Sequence, residues 1–259
     1  MRLFIILIVI LVSCSESGES GQIDFEKRIQ IVTVLGDTVF SNPNPTMEQV
    51  NNAVQAKFDS EKQPDNPEPL IWYGRRMAYT GNYRKAIDIY STGINKFPTD
   101  ARFYRHRGHR YISIRQFDRA ISDLEKAAEL VDGKPDEIEA DGLPNARNIP
   151  TSTLESNIWY HLGLAYFVKG KYESALNAYR QGLLVSKNPD MLSATLHWMY
   201  MTLRRLNRLE EAVELLEPLE TGMDIIENQA YYQLCLFYKD ESRIDSLQLD
   251  NATSQANDA

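Results

Sequence analysis

The chain has 259 residues, 43% of them hydrophobic, 10% aromatic and 25% charged, with a net charge of −8. That length allows one sizeable core or two small ones, and the acidic balance argues against a general nucleic-acid binder, which would carry a basic footprint. At the N-terminus Arg2 precedes an apolar run from Leu3 to Val12. This run is shorter than the about 20 residues a transmembrane helix needs, and it fits the h-region of a secretory signal peptide. Ser15 to Gly21 (SESGESG) reads as a flexible tether. In the stretch Asp24 to Phe40, Phe25, Ile29, Val32 and Leu35 approach helical spacing, with Asp24 as N-cap and Gly36 as a stop. The β-branched run Ile31-Val32-Thr33-Val34 pulls toward strand; a short helix is the expectation. After Asn42-Pro43-Asn44-Pro45, Thr46 and Gln49 form a capping box. Met47, Val50, Val54 and Phe58 make one apolar stripe, which predicts a helix packed on the next helical unit of the chain. Pro64 to Pro69 then punctuates the chain.

Beyond these prolines the sequence becomes periodic. Gly74 and Gly108 are thirty-four residues apart, as are Tyr83 and Phe117, and Ala86 and Ala120. After an interruption the pattern returns as Trp159, Leu162, Gly163, Tyr166, Gly170, Tyr172 and Ala175. These residues resemble the tetratricopeptide repeat, a helix–turn–helix unit of that period. The resemblance implies an all-α solenoid and a binding surface rather than a reaction vessel. Four copies align, at 67–100, 101–134, 156–189 and 193–226, with a capping helix over 228–240 closing a solenoid that spans 67–240. A glycine in the first helix (Gly74, Gly108, Gly163) admits the paired helix. A small alanine in the second (Ala86, Ala120, Ala175, Ala212) serves the same approach, an aromatic (Tyr83, Phe117, Tyr172) plugs the turn, and Pro98 or Pro189 ends the second helix. The fourth copy departs from the pattern, with Tyr200 for the glycine and Leu209 for the turn aromatic.

The organisation expected is a signal peptide over 1–13, a lipid-proximal segment over 14–45, a helix and linker over 46–66, the solenoid, and a disordered polar tail over 241–259. The signal peptide ends in Leu11-Val12-Ser13-Cys14, which resembles the lipobox of bacterial lipoproteins. That resemblance implies cleavage before Cys14 and lipidation of its thiol. The second cysteine, Cys235, then has no disulfide partner and reads as a buried small hydrophobe. Ser15, rather than aspartate, stands after Cys14 and favours the outer membrane over inner-membrane retention.

Two features break the rhythm. The first is a 21-residue insertion over 135–155, with Asp136, Glu137, Glu139 and Asp141 among its first seven residues and Gly142-Leu143-Pro144-Asn145-Ala146-Arg147 after them. Such a loop is either a tolerated excursion or functional. The second is the wall of first helices, which the family resemblance places on the concave side. Carried over residue by residue, the groove holds Ile71, Trp72 and Arg75, then Arg102, Arg105, His106 and His109. The third copy adds Asn157, Tyr160, His161 and Leu164, and the fourth His197, Trp198, Met201 and Arg204. Arg76, Arg107, Arg110 and Arg115 extend this basic character. Arginine and aromatic side chains dominate binding hot spots, and an acidic segment or a C-terminal carboxylate would suit the surface. Alternatively the insertion's acids pair with these arginines as an internal ligand. His106 and His109 stand at i and i+3, with His161 expected near His106, yet no HExxH, CxxC, GxSxG or Gly-rich phosphate loop accompanies them.

The reading is therefore a non-catalytic adaptor, lipid-anchored in the bacterial envelope, that binds a protein or peptide segment without cofactor, metal or nucleic acid. The alternative is a small-molecule or metal-binding lipoprotein that uses the His/Arg wall with the insertion as a lid.

Overall fold

The computed structural model describes residues 29–32, 36–40 and 44–240. The signal peptide, Cys14, the tether, Asp24 and the tail lie outside the described residues. Where a short helix was expected, the chain forms an antiparallel hairpin of β1 (Ile29–Val32) and β2 (Thr38–Phe40), pairing Ile31 with Val39. At Ile31 and Val32 the β-branched preference prevails over the helical spacing, because the strand finds a partner in β2. Gln30 is buried and takes the Arg84 backbone N–H at 2.9 Å, and Ile31 packs against the core beside Tyr83.

Helix α1 (Met47–Lys62) opens with the expected capping box of Thr46 and Gln49. Its buried face differs from the expected stripe, since Ala53 and Ala56 are buried while Met47, Val54 and Phe58 are exposed. Small residues let α1 lie close on α2 (Pro67–Tyr79), and the large apolar side chains fall outside that contact.

From α2 onward helices pair. α2 packs with α3 (Tyr83–Lys96), α4 (Ala101–Ser113) with α5 (Phe117–Val131), and α6 (Leu154–Val168) with α7 (Tyr172–Val185). A Cβ on Gly74 would lie 2.3 Å from the Tyr90 ring, and one on Gly163 would lie 2.4 Å from Tyr179. The glycines therefore give room to the largest buried side chains of the partner helices. α8 (Pro189–Arg205) begins at Pro189, capped by Asn188, so this proline starts the fourth pair rather than ending the third. α9 (Leu209–Glu214) is short, and α10 (Gln229–Lys239) closes the end against α8. Tyr200, standing where the other copies have glycine, stacks its ring on Tyr238 of α10 at 4.2 Å. Cys235 is fully buried in this last cluster. The inner layer runs α2–α4–α6–α8, each touching the next.

Candidate functional site: a strapped concave cavity

The insertion does not dangle. Ile138 bridges Thr153, and the backbone N–H of Leu154 donates to Glu137 O at 2.8 Å. From there the segment crosses the inner layer as a strap. Arg75 donates to Ala140 O at 2.7 Å and Arg76 to Gly142 O at 2.9 Å. Gly142 is required at its place, because a Cβ there would lie 1.7 Å from Tyr79 Oη. Asn145 turns the chain by accepting the N–H groups of Arg147 and Ile149. The far end is anchored on the segment before α10: Arg147 pairs with Asp224 at 2.7 Å, Asn145 donates to Glu227 at 3.2 Å, and Thr151 donates to Glu227.

The strap meets the basic wall through Glu139, whose Oε1 lies 3.0 Å from the Arg105 guanidinium, with both side chains largely buried. Arg105 also donates to Nδ1 of His106 at 2.9 Å. The internal-ligand arrangement is thus present at the end of the groove formed by the first two repeats. Glu139 Oε2 and Arg105 Nε find no hydrogen-bond partner among the described residues, so this pair is incompletely satisfied.

Beyond that contact a cavity of about 590 Å³ remains, bounded by the inner helices, the strap, Val39 of the hairpin and the start of α10. Of the residues assigned to the groove, Arg75, Arg105, His109, Asn157, Tyr160, His161 and Trp198 line it, as does Leu164. The others do not. His106 stacks on Tyr90 at 5.5 Å, and His197 stacks on Tyr231 at 4.8 Å behind the wall. Arg102 is held by Asp100 at 2.7 Å and by Glu68. Trp72 donates to Glu68 at 2.9 Å and carries Arg75 over its ring at 4.3 Å. Arg204 donates to Tyr200 Oη at 2.8 Å. Arg107 turns between the layers to Asp123 at 2.7 Å. Most of the arginine wall is therefore structural, and alignment columns alone do not show which guanidiniums already have partners.

The histidines also differ from expectation. His109, rather than His106, meets His161, with ring centroids 4.0 Å apart. Nδ1 of His161 is 2.6 Å from the Asn157 carbonyl, which fixes that nitrogen as the protonated donor. Burial, with Arg105 and Arg110 nearby, pushes His161 down to about 3, and burial alone pushes His197 to about 4. His106 and His109 are held well below the usual range, first by burial and then by neighbouring arginines. All four rings are neutral at pH 7. Among the described residues no three His, Cys, Asp or Glu side chains gather as a metal site.

Sequence reasoning missed the residues contributed by the far end of the chain. Glu227 and Tyr231 line the cavity, and buried Asp190 accepts the backbone N–H groups of Ile226, Glu227 and Asn228 at 3.0, 2.7 and 2.8 Å. An aspartate in the first turn of a helix gives no signal that it caps a segment thirty-six residues on.

Paired helices, glycine-relieved contacts and a shared inner face define a tetratricopeptide-repeat solenoid, here with a strap across its concave side. Comparison with known proteins agrees: residues 156–189 match the tetratricopeptide repeat. Over 169 residues the chain is 26% identical to small glutamine-rich tetratricopeptide repeat-containing protein 2 of Saccharomyces cerevisiae, covering 64% of this chain and 42% of that protein. Over 159 residues it is 28% identical to the Hsp70-Hsp90 organizing protein of Triticum aestivum, covering 60% of this chain and 24% of that one. The chain thus spans less than half the length of these relatives. Among solved structures, MamA residues 41 to the end from Desulfovibrio magneticus RS-1 superposes with a TM-score of 0.51 at 18% identity, covering 66% of this chain and 84% of that one. TTC0263, a thermophilic TPR protein of Thermus thermophilus, gives 0.50 at 19%, covering 71% and 89%. These structures share the fold.

Proposed function

We propose that this protein is a non-catalytic adaptor, held on a bacterial envelope membrane by lipid on Cys14, which receives a segment of a partner protein in its strapped cavity. The observation that carries the reading is the cavity itself. It is open on the inner face of a repeat solenoid and lined by side chains suited to recognition, Tyr160, Trp198, Asn157 and Leu164 among them. Relatives such as the Hsp70-Hsp90 organizing protein are named for assembling other proteins, which supports a binding role for the repeats. The outer membrane is the expected address, from Ser15 after Cys14. An acidic partner would have to displace Glu139 from Arg105, so the cavity beyond that pair is the part available to a partner.

Crosslinking capture from native membranes tests this. Leu164→Arg, which places a charge on the cavity wall, should abolish recovery of the crosslinked partner. Arg102→Glu should leave recovery intact, because Arg102 lies outside the cavity. Equal recovery from both variants sinks the cavity reading. Cys14→Ala should abolish palmitate labelling and release the protein from the membrane fraction; retention of both would remove the lipid tether.

A second reading, a small-molecule site with the strap as lid, has one specific observation behind it. A volume of about 590 Å³ falls within the roughly 300–1,000 Å³ of small-ligand pockets. A small molecule co-purifying with native protein, and absent from Leu164→Arg, would favour it.

A further inference from the structure

The charges around the cavity are not equally free. On the side of the first two repeats, Arg105 is matched by Glu139, while Arg75 and Arg76 are bound to strap carbonyls. On the side toward α10 the balance is opposite. Glu227 accepts from the neutral donors Asn145 and Thr151 and, among the described residues, has no ion-pair partner. Asp141, on the strap and lining the same cavity, has no hydrogen-bond or ion-pair partner among the described residues. Burial, then the neighbouring Glu227, holds the Asp141 carboxyl above its ordinary range, against the opposing pull of Arg75.

Three of the aromatic side chains that line the cavity are joined to one another. Trp198 Nε1 donates to Tyr160 Oη at 3.0 Å, and Tyr160 Oη lies 3.2 Å from Tyr231 Oη. This chain ties together rings from α6, α8 and α10. Burial and the neighbouring Tyr231 push the Tyr160 phenol well above its usual range, so it stays neutral and offers its ring without added charge. Aromatic rings beside carboxylates that have no ion-pair partner attract a cation both through the ring quadrupoles and through direct charge. Two cations on the cavity wall lack a carboxylate partner among the described residues: Arg75, whose guanidinium is held by the strap carbonyl of Ala140, and Arg115, just past the C-terminus of α4, whereas Glu227 lies in the turn before α10.

We propose that the α10 side of the cavity binds a positively charged side chain, lysine or arginine, of the partner segment, with Asp141 and Glu227 supplying the charge and Tyr160, Trp198 and Tyr231 the aromatic walls. This rests on the adaptor reading and replaces the acidic ligand expected from the arginine wall with a basic one. Glu139 already fills the role of the acid.

Hexalysine and hexaglutamate serve as probes, with the indole N–H resonance of Trp198, assigned through Trp198→Phe, as the readout. Hexalysine should shift that resonance saturably and hexaglutamate should not. Asp141→Asn and Glu227→Gln should each weaken hexalysine binding about tenfold, the scale of one charged hydrogen bond. Asp88→Asn, an equal change of charge at an exposed site on α3, should not, which separates the site from general attraction to an acidic protein. Each variant is checked for an unchanged thermal midpoint, and either of the two cavity substitutions suffices alone. Equal shifts with hexaglutamate, or cavity variants no weaker than Asp88→Asn, overturn the proposal. If hexalysine fails while Leu164→Arg still loses the membrane partner, the cationic ligand falls and the adaptor stands. If hexalysine binds and no partner depends on the cavity, the adaptor falls.

Discussion

The four histidines sit on four turns of inner helix, and each is kept neutral by burial. His197 shows the consequence most simply, because no neighbouring charge contributes to its depression to about 4. Its ring lies between Tyr231 and Tyr238, at 4.8 and 5.8 Å. A histidine whose folded pKa is lowered favours the fold fully above the unfolded value of about 6.5, and that contribution is lost as pH falls below it. At pH 5 the loss is about 2 kcal/mol for one such group. His197→Phe keeps the stacking and removes the titration. Its thermal midpoint should therefore fall less between pH 7.5 and pH 5 than that of the natural chain. Parallel curves for the two proteins would show that His197 takes up its proton without cost to the fold. None of this was legible in the sequence. The histidines could be placed on first helices by their columns, but a column does not say which ring is stacked, which faces a cavity, or that Arg110 stands against His109.

At the level of elements, the repeats were legible because their signal is chemical as well as periodic: Gly74 and Gly163 are small for the sake of Tyr90 and Tyr179. The hairpin and the buried face of α1 were misread for a common reason. Spacing identifies which residues share a face but not which face finds a neighbour, so Met47, Val54 and Phe58 form a real stripe that the packing leaves outside. The strap was legible as an anomaly of charge and length, and its opposition to the arginine wall was visible. Its route was not, because that depends on Gly142 passing against Tyr79. Gly142→Ala should lift the strap from α2, at roughly 1–3 kcal/mol for the overlap, and break the Arg76 hydrogen bond with it. Trypsin should then cut faster after Arg147, whose side chain is half exposed. Adding Tyr79→Phe removes the hydroxyl that the new methyl meets first and should restore part of the resistance, a coupling that a double-mutant cycle reads directly. Additive effects of the two substitutions would mean that the strap is not seated by this contact.

For the molecule as a whole, the strap and the final helix are one mechanical system. Arg147, Asn145 and Thr151 attach the strap to Asp224 and Glu227, and the segment carrying those acids is itself held by Asp190 of α8. Asp190 is 1% exposed, and its carboxylate serves three successive backbone N–H groups that would otherwise be unpaired at the start of α10. The acidic, aromatic side of the cavity therefore depends on a side chain outside it. Asp190→Ala removes the acceptor and should destabilise the closing helix on the order of 3 kcal/mol, since each orphaned buried donor costs about 1–3 kcal/mol. The loss should be local, because the first three repeats keep their own contacts. Cys235 reports it. The thiol is fully buried on α10 and burial pushes its pKa up to about 12, so a thiol reagent at pH 8 should label it very slowly in the natural fold. In a Cys14→Ser background, which leaves Cys235 as the sole thiol, Asp190→Ala should speed labelling by an order of magnitude or more. Asp190→Asn, which retains one acceptor oxygen, should fall between. The same Asp190→Ala protein should also lose its response to hexalysine while keeping most of its helical circular dichroism, since the cationic site and the cap share this anchor. Labelling as slow as in the natural protein would show that the hydrophobic contacts of Tyr232 and Leu236 hold α10 without the carboxylate.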